Sequence, residues 1–389
     1  MPVINSIAAL QDEMTEWRRD FHAHPEIAFQ EVRTSQKVAE RLAEWGIEVH
    51  RGLGKTGVVG VLRGSGDSTR SIGLRADMDA LPMTEENEVP WKSTTPGAFH
   101  GCGHDGHTTM LLGAAKYLSE TRNFDGTVHF IFQPAEEGAG GGREMVKDGL
   151  FERFDCDEVY ALHNWPGLPA GQVGVKAGPM MAATDTFDIT IKATGGHAAM
   201  PHMCVDPAVI AAQTVLGLQS LVSRNADPLE SAVVSVTQVH VGSAYNVIAE
   251  QATMCGTVRT FNPAIADMIE AGMARIVENT AKAFGAEGAV VYHKGYPATV
   301  NHARETEFAA AAVADVVGAE GIVRDINPVM GGEDFSYMLL ERPGAYIWVG
   351  QAGGPSACNV HNPRYDFNDE ILPIGASFMA RIVERQLSR

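Results

Sequence analysis

Apolar positions along the first part of the chain follow two rhythms. Spacings of three and four predict helices over Ile4–His22 and Thr34–Trp45. A third follows over His107–Leu118, where Met110, Leu111, Leu112, Ala114 and Ala115 form one face. Unbroken apolar runs predict strands at Gly57–Leu62, Ser71–Leu74, Thr127–Phe132 and Glu158–Leu162. Strands alternating with helices predict an α/β sheet covered on both faces.

From about Thr184 the rhythm changes. Strand, helix, strand, strand, helix and strand are predicted in turn, over Thr186–Ala193, Asp206–Leu221, Ser231–Val241, Thr253–Thr260, Pro263–Phe284 and Ala289–Tyr292. That order is the split unit of a ferredoxin-like domain. Asp206-Pro207 and Asn262-Pro263 put a capping side chain before a proline at the first helical position. After about Tyr296 the α/β rhythm returns, with a helix over Glu305–Val317, a strand over Gly344–Val349 and a closing helix over Glu370–Gln386. The expected organisation is a discontinuous α/β catalytic domain, residues 1–183 and 296–389, with an inserted α+β ferredoxin-like domain over 184–295. No internal repeat or low-complexity tract interrupts it.

Length and composition agree with two domains of ordinary size, given 389 residues, 45% hydrophobic and 20% charged. Thirty Lys and Arg against 48 Asp and Glu give a formal charge of −18. Such a surface disfavours nucleic acid and anionic membranes, yet tolerates a small anionic substrate beside metal ions, whose local sign is their own. The N-terminal stretch has no basic region of an export signal, and no apolar run approaches a membrane span. Five scattered cysteines argue against a disulfide framework and for a reducing compartment. A cytoplasmic location is the expectation, with thiolates available as metal ligands.

The candidate chemistry gathers at predicted strand ends, where α/β sheets place their sites. In His100-Gly-Cys-Gly-His-Asp-Gly-His107, Cys102 and His104 lie two apart, so extended backbone turns both toward one ion. The same segment also reads as a helix start capped by Asp105. Gln133-Pro-Ala-Glu-Glu137 follows the strongest strand, and two adjacent carboxylates there need a cation to offset their repulsion. One could bind metal while its neighbour moves a proton; a solvated acidic loop is the alternative. The glycines after them lack the lysine and hydroxyl of a phosphate loop. His163 and His361 are further metal-capable groups, and Asp77 and Asp79 could orient ligands. In Thr194-Gly-Gly-His197 the histidine could donate to an oxyanion, or could simply close a turn.

Together these segments resemble the dinuclear-metal aminoacylase and carboxypeptidase family, nearest its branch of hippurate hydrolases and indole-acetyl-amino-acid hydrolases. The likeness runs from Arg18-Arg-Asp-Phe-His-Ala-His-Pro-Glu26 and Arg75-Ala-Asp-Met-Asp-Ala-Leu-Pro82 through the segments above to Gly256-Thr-Val-Arg-Thr-Phe261, Gly332-Glu-Asp-Phe335 and His361-Asn-Pro363. The resemblance implies two divalent ions (Zn, Mn, Co or Ni) on Cys102, His104, Glu137, His163 and His361, with the cysteine where other branches carry a bridging aspartate. It implies Glu136 as general base and acid, His197 as oxyanion donor, Asn246 and Arg259 as substrate contacts, and a homodimer or homotetramer built through the inserted domain, which acts as a lid. The implied reaction is hydrolysis of N-acyl amino acids. Deacetylation of an N-acetyl-diaminopimelate-type intermediate or dipeptide cleavage is the near alternative, and a non-catalytic metal-binding protein the distant one. Gly242-Ser-Ala-Tyr-Asn-Val-Ile-Ala249 lacks the family's glycine pair and following proline, so acyl or side-chain preference is expected to differ.

Overall fold

Seven-residue strands Ser71–Asp77 and Thr127–Gln133 are almost wholly buried, which is why their sequences read as continuous apolar runs rather than alternating ones. They pair in parallel from Ser71 opposite Thr127 to Asp77 opposite Gln133. They lie inside an eight-stranded mixed sheet in a computed structural model that describes residues 3–353 and 358–389. The first two residues of the N-terminal stretch therefore fall outside the described chain.

The sheet order is Glu48–Leu53, Gly57–Arg63, Thr127–Gln133, Ser71–Asp77, Glu158–Pro169, Gly344–Ala352, Val173–Gly174 and Ile322–Val323. Helices His104–Thr121, Ala303–Val317 and Leu372–Gln386 bury Met110, Leu111, Val313, Phe378 and Ile382 in one core with Leu74, Phe130 and Ile347. Full burial of one such side chain contributes about 1.5–3 kcal/mol. This is the α/β architecture expected.

Three local expectations need correction. The helix expected over Ile4–His22 is two helices, Asn5–Ala8 and Gln11–Ala23. Ile4, Ile7, Met14, Trp17 and Phe21 share one helical stripe, so apolar spacing does not forecast the break; the Ile4 N–H is drawn to Ser377 Oγ at 3.2 Å. Strand Glu48–Leu53 went unforeseen because it is an edge strand with mostly exposed or half-buried positions and no apolar alternation. The strand through His163 runs on to Pro169, because Gly344–Ala352 pairs alongside it with Trp348 opposite His163.

Contacts divide the chain into two units. One comprises the N-terminal part to Met180 with Val300–Asn327 and Asp334–Arg389, and the other Met181–Thr299 with Pro328–Glu333. The second unit holds a four-stranded antiparallel sheet in the order Ala232–Val241, Gln251–Thr260, Ala183–Lys192, Glu287–Tyr296. The first and third of these in chain order, Ala183–Lys192 and Gln251–Thr260, are central, as the ferredoxin-like pattern requires. Helices Pro207–Ser220 and Pro263–Ala283 start as expected: the Asp206 side chain accepts the Ala208 N–H, and that of Asn262 the Ala264 N–H. Their apolar faces bury Ile210, Leu218, Ile269, Met273 and Val277 against Phe187, Ile189, Met254 and Val258. Among the described residues no helix is long and apolar enough to cross a membrane, and no cysteine forms a disulfide.

Candidate metal centre

Strands Ser71–Asp77 and Thr127–Gln133 end level with each other. The chain beyond them delivers Asp79 on one side and Glu136-Glu137 on the other. His163 projects from Glu158–Pro169 just past Ala161, where pairing with Ser71–Asp77 stops; it sits inside a strand rather than after one. Cys102 precedes Gly103, which opens helix His104–Thr121 with φ 100°. A Cβ at Gly103 would lie 2.3 Å from Asn164 Oδ1, so only glycine permits this approach. His361, at φ 64°, is tied to the same loop by its N–H to Gly101 O at 2.7 Å.

Among the described residues five groups of metal-capable atoms result, and two of them share Cys102. Cys102, His104 and His163 form one, and Cys102, Glu137 and His361 the other, each with all donor atoms within 4.8 Å of one another. Cys102 belongs to both. Its Sγ lies 3.3 Å from His163 Nε2, and His361 Nε2 lies 3.3 Å from Glu137 Oε1. Glu136 joins His104 and Glu137 in a third group. All five residues that the sequence nominated as ligands are thus brought together, with Glu136 beside them.

The rings are aimed by their outer nitrogens. His163 Nδ1 donates to Asn164 O at 2.6 Å, turning the Nε2 lone pair toward Cys102. His104 Nδ1 faces Asp79 Oδ1 at 3.2 Å, and its Nε2 is buried without a hydrogen-bond partner. Asp79 Oδ2 also accepts the Glu137 N–H at 2.9 Å, so one carboxylate orients a residue from each group. An orphaned, inward-facing imidazole nitrogen beside a thiol and carboxylates is what a divalent cation would satisfy. Sulfur, nitrogen and oxygen donors together suit zinc and its transition-metal neighbours.

Electrostatics agree. Burial, with Glu137, Glu136 and Asp77 adding to it, holds the Cys102 thiol well above its ordinary value, so a thiolate there needs cationic compensation. Burial and neighbouring His107 push His163 well below its ordinary value, which keeps it a neutral donor. Burial opposes charge on His104, but Asp77, Asp79 and Glu137 outweigh it and raise the ring to about 10. Removing the acidic surplus falls to a cation: protons on His104, or metal.

Asp105 and His107 of the same segment are both buried beside the candidate donors. His107 Nδ1 lies 2.6 Å from Asp77 Oδ1, and its Nε2 accepts the Asn164 N–H at 3.0 Å. Asp77 is held by Arg75 Nη1 at 2.7 Å. Asp105 takes His22 Nδ1 at 2.8 Å, and His22 Nε2 reaches Glu85 at 3.3 Å. Sequence reasoning missed Asn164, Glu85 and Glu31; each lies inside or close to a quoted motif, and the signal was a polar residue at a position that periodicity marks as interior.

The remaining candidates belong to the second unit. His197 pairs with Val247 in a short two-stranded ribbon, and both His197 and Asn246 are exposed. Ala198 N–H donates to Asn246 O at 3.1 Å, binding the two loops together. His197 Nδ1 accepts the Ala199 N–H at 3.1 Å, so the neutral ring carries its proton on Nε2. Arg259 Nε donates to Met330 O at 3.2 Å and Nη1 to Val258 O at 2.9 Å, with Thr257 Oγ1 also in contact.

Known proteins resemble this chain over its whole length. The chain is 39% identical over 387 residues to the hippurate hydrolase of Campylobacter jejuni, covering all of both chains. It is 39% identical over 376 residues to the N-acetylcysteine deacetylase of Bacillus subtilis, covering 96% of this chain and 97% of that one. A Bacillus subtilis protein described as a dinuclear metal binding peptidase of the M20 family superposes with a TM-score of 0.85 at 35% identity, covering 98% of this chain and 99% of that chain. The family pattern itself matches residues 73–385. A metal-capable cluster fed from two strand ends and from His163 within a third strand, in a chain alike over its whole length to hydrolases of amide bonds, has one reading: the protein is a hydrolase of peptidase family M20/M25/M40.

Proposed function

We propose that the protein hydrolyses the amide bond of N-acyl amino acids, releasing a carboxylic acid and a free amino acid. The observation that carries this is the membership of Cys102 in two donor groups beside the buried carboxylate of Glu136. Cys102, His104 and His163 would hold one divalent cation, and Cys102, Glu137 and His361 a second. Bound there, such a pair supplies Lewis acidity toward a carbonyl oxygen and a water of lowered pKa. Glu136 takes the proton of the attacking water and returns it to the departing amine, a task typically worth about 10²–10⁴-fold in rate. His197 donates its Nε2 proton to the developing oxyanion, consistent with the tautomer that Ala199 imposes. Asn246 and Arg259 contact the substrate, the guanidinium meeting the amino-acid carboxylate.

Hippurate and N-acetylcysteine, which name two relatives, share an acyl group amide-linked to an amino acid. Formal charges favour such an anion: two divalent cations against Cys102, Glu136 and Glu137 leave the pocket positive within an acidic protein. A homodimer or homotetramer built through the second unit fits its exposed Val239, Val241 and Tyr245. A cytoplasmic location fits cysteines that form no disulfide among the described residues.

The test is a hydrolysis panel on metal-stripped protein reloaded with Zn, Mn, Co or Ni. It compares benzoylglycine, acetylated amino acids including N-acetylcysteine, and dipeptides. Metal-dependent cleavage of the acyl amino acids is expected. Cleavage of dipeptides alone would replace the proposal with a dipeptidase, and no cleavage with any metal would leave a metal-binding protein without catalysis.

A further inference from the structure

One buried carboxylate takes no part in the donor groups described above. Glu31 is fully buried and stands at the N-terminus of helix Val32–Glu44. Its Oε1 accepts the N–H of Phe29 at 3.0 Å and of Ala135 at 2.9 Å, and its Oε2 accepts the Thr56 hydroxyl at 2.6 Å. Phe29 and Ala135 have φ of 61° and 54°. Side-chain-bearing residues hold such left-handed backbone only where their surroundings enforce it. A single carboxylate oxygen therefore anchors two left-handed residues from distant parts of the chain. Ala135 is gripped from both ends, since its carbonyl accepts the Gly141 N–H at 3.0 Å. The next residue is Glu136.

Burial pushes the Glu31 carboxyl up to about 7, with the Thr56 hydroxyl working against the rise and Asp79 adding to it. A group kept in so unfavourable a place, and spent on the backbone one residue before the proposed base, has a geometric task. We propose that Glu31 is a positioning residue for Glu136, holding the Pro134–Ala135–Glu136 turn in the left-handed form that aims the Glu136 carboxylate, without itself touching substrate. This rests on the role given to Glu136 above.

The test combines kinetics, metal content and a crystal structure. Glu31→Ala removes both anchors, so kcat should fall by up to about 100-fold, the effect of roughly 1 Å of misplacement, while KM changes little and metal content stays at wild type. Glu31→Gln keeps an acceptor for Ala135 and should recover most of the rate. Adding Ala135→Gly to Glu31→Ala should restore part of the loss, because glycine enters the left-handed region unaided. In the Glu31→Ala crystal structure Ala135 should leave positive φ and the Glu136 carboxylate should move. If Glu31→Ala does not fold, Glu31→Asp, too short to reach Thr56 and Ala135 together, should show the same split between kcat and metal content in reduced measure. A lower Tm with kcat unchanged would reduce Glu31 to a structural role and overturn the proposal, as would an Ala135–Glu136 turn unmoved in the variant. If wild type cleaves nothing in the panel, the functional reading fails by itself, and the crystallographic result still decides whether Glu31 sets the Glu136 turn.

Discussion

The two units use burial in opposite ways. In the first, charged and titratable groups are taken inside: Asp77, Asp79, His104, His107 and Asp105 are each at most 1% exposed, with His107 on Asp77, His104 on Asp79 and His22 on Asp105. In the second, strand Gln251–Thr260 alternates buried with half-buried positions, and the candidate groups His197 and Asn246 lie in exposed loops. The first unit has its chemistry fixed before any substrate arrives, at the expense of desolvating many charges. The second carries its candidate groups on the surface, joined by backbone hydrogen bonds between their loops. Variants of the proposed metal donors and their supports in the first unit should therefore change metal binding and rate together, and variants of the candidate groups in the second should change rate alone.

The sharpest break of that contrast is Cys102→Ala. Cys102 is common to both donor groups, so both equivalents of metal should be lost and activity should fall to background, as read by metal analysis after desalting. Glu137→Gln should weaken only one site. Next comes Glu136→Gln, expected to lower kcat/KM by about 10²–10⁴-fold with metal content intact. A variant that lost metal as well would make Glu136 a ligand rather than the proton carrier. In the second unit, His197→Ala should lower kcat by about 10²–10³-fold and leave metal content and Tm unchanged; metal loss there would erase the distinction between the units. Asp79→Ala should weaken metal affinity by about 10–100-fold, since it frees both His104 and the Glu137 backbone.

The smallest effect is one of pH. Burial opposes charge on His22, but Asp105 and Glu85 outweigh it and raise the ring to about 9 from an ordinary 6.5. Its contribution to stability is thus fully present below about pH 6.5 and is lost as pH rises through about 9. The Tm of metal-stripped protein should decline across that window, and His22→Asn should flatten the decline.

The same contrast explains what the sequence disclosed. Amphipathic elements of the second unit announce themselves, because one face meets water and Asp206-Pro207 and Asn262-Pro263 mark the helix starts. In the first unit, the buried runs gave strands but not their ends: His163 looked like the residue after a strand because hydropathy changes there, while hydrogen bonding continues to Pro169. The proposed ligands were legible as motifs, since glycines and paired carboxylates at strand ends have few other uses. Their supports were not. Asp79 serving both His104 and Glu137, or Glu31 reaching Ala135 across 104 positions, arises only when strands come side by side. The segment Pro328–Glu333 joins the second unit with no signal in hydropathy at all.

The central claim is that two divalent cations sharing Cys102 are both needed for hydrolysis. Its most direct test is to titrate zinc or manganese into metal-stripped protein while recording bound equivalents and the rate of cleavage of the best N-acyl amino acid substrate. Activity should rise with the second equivalent and reach its plateau at two per chain. Full activity at one equivalent, or activity that survives a chelator, would contradict it.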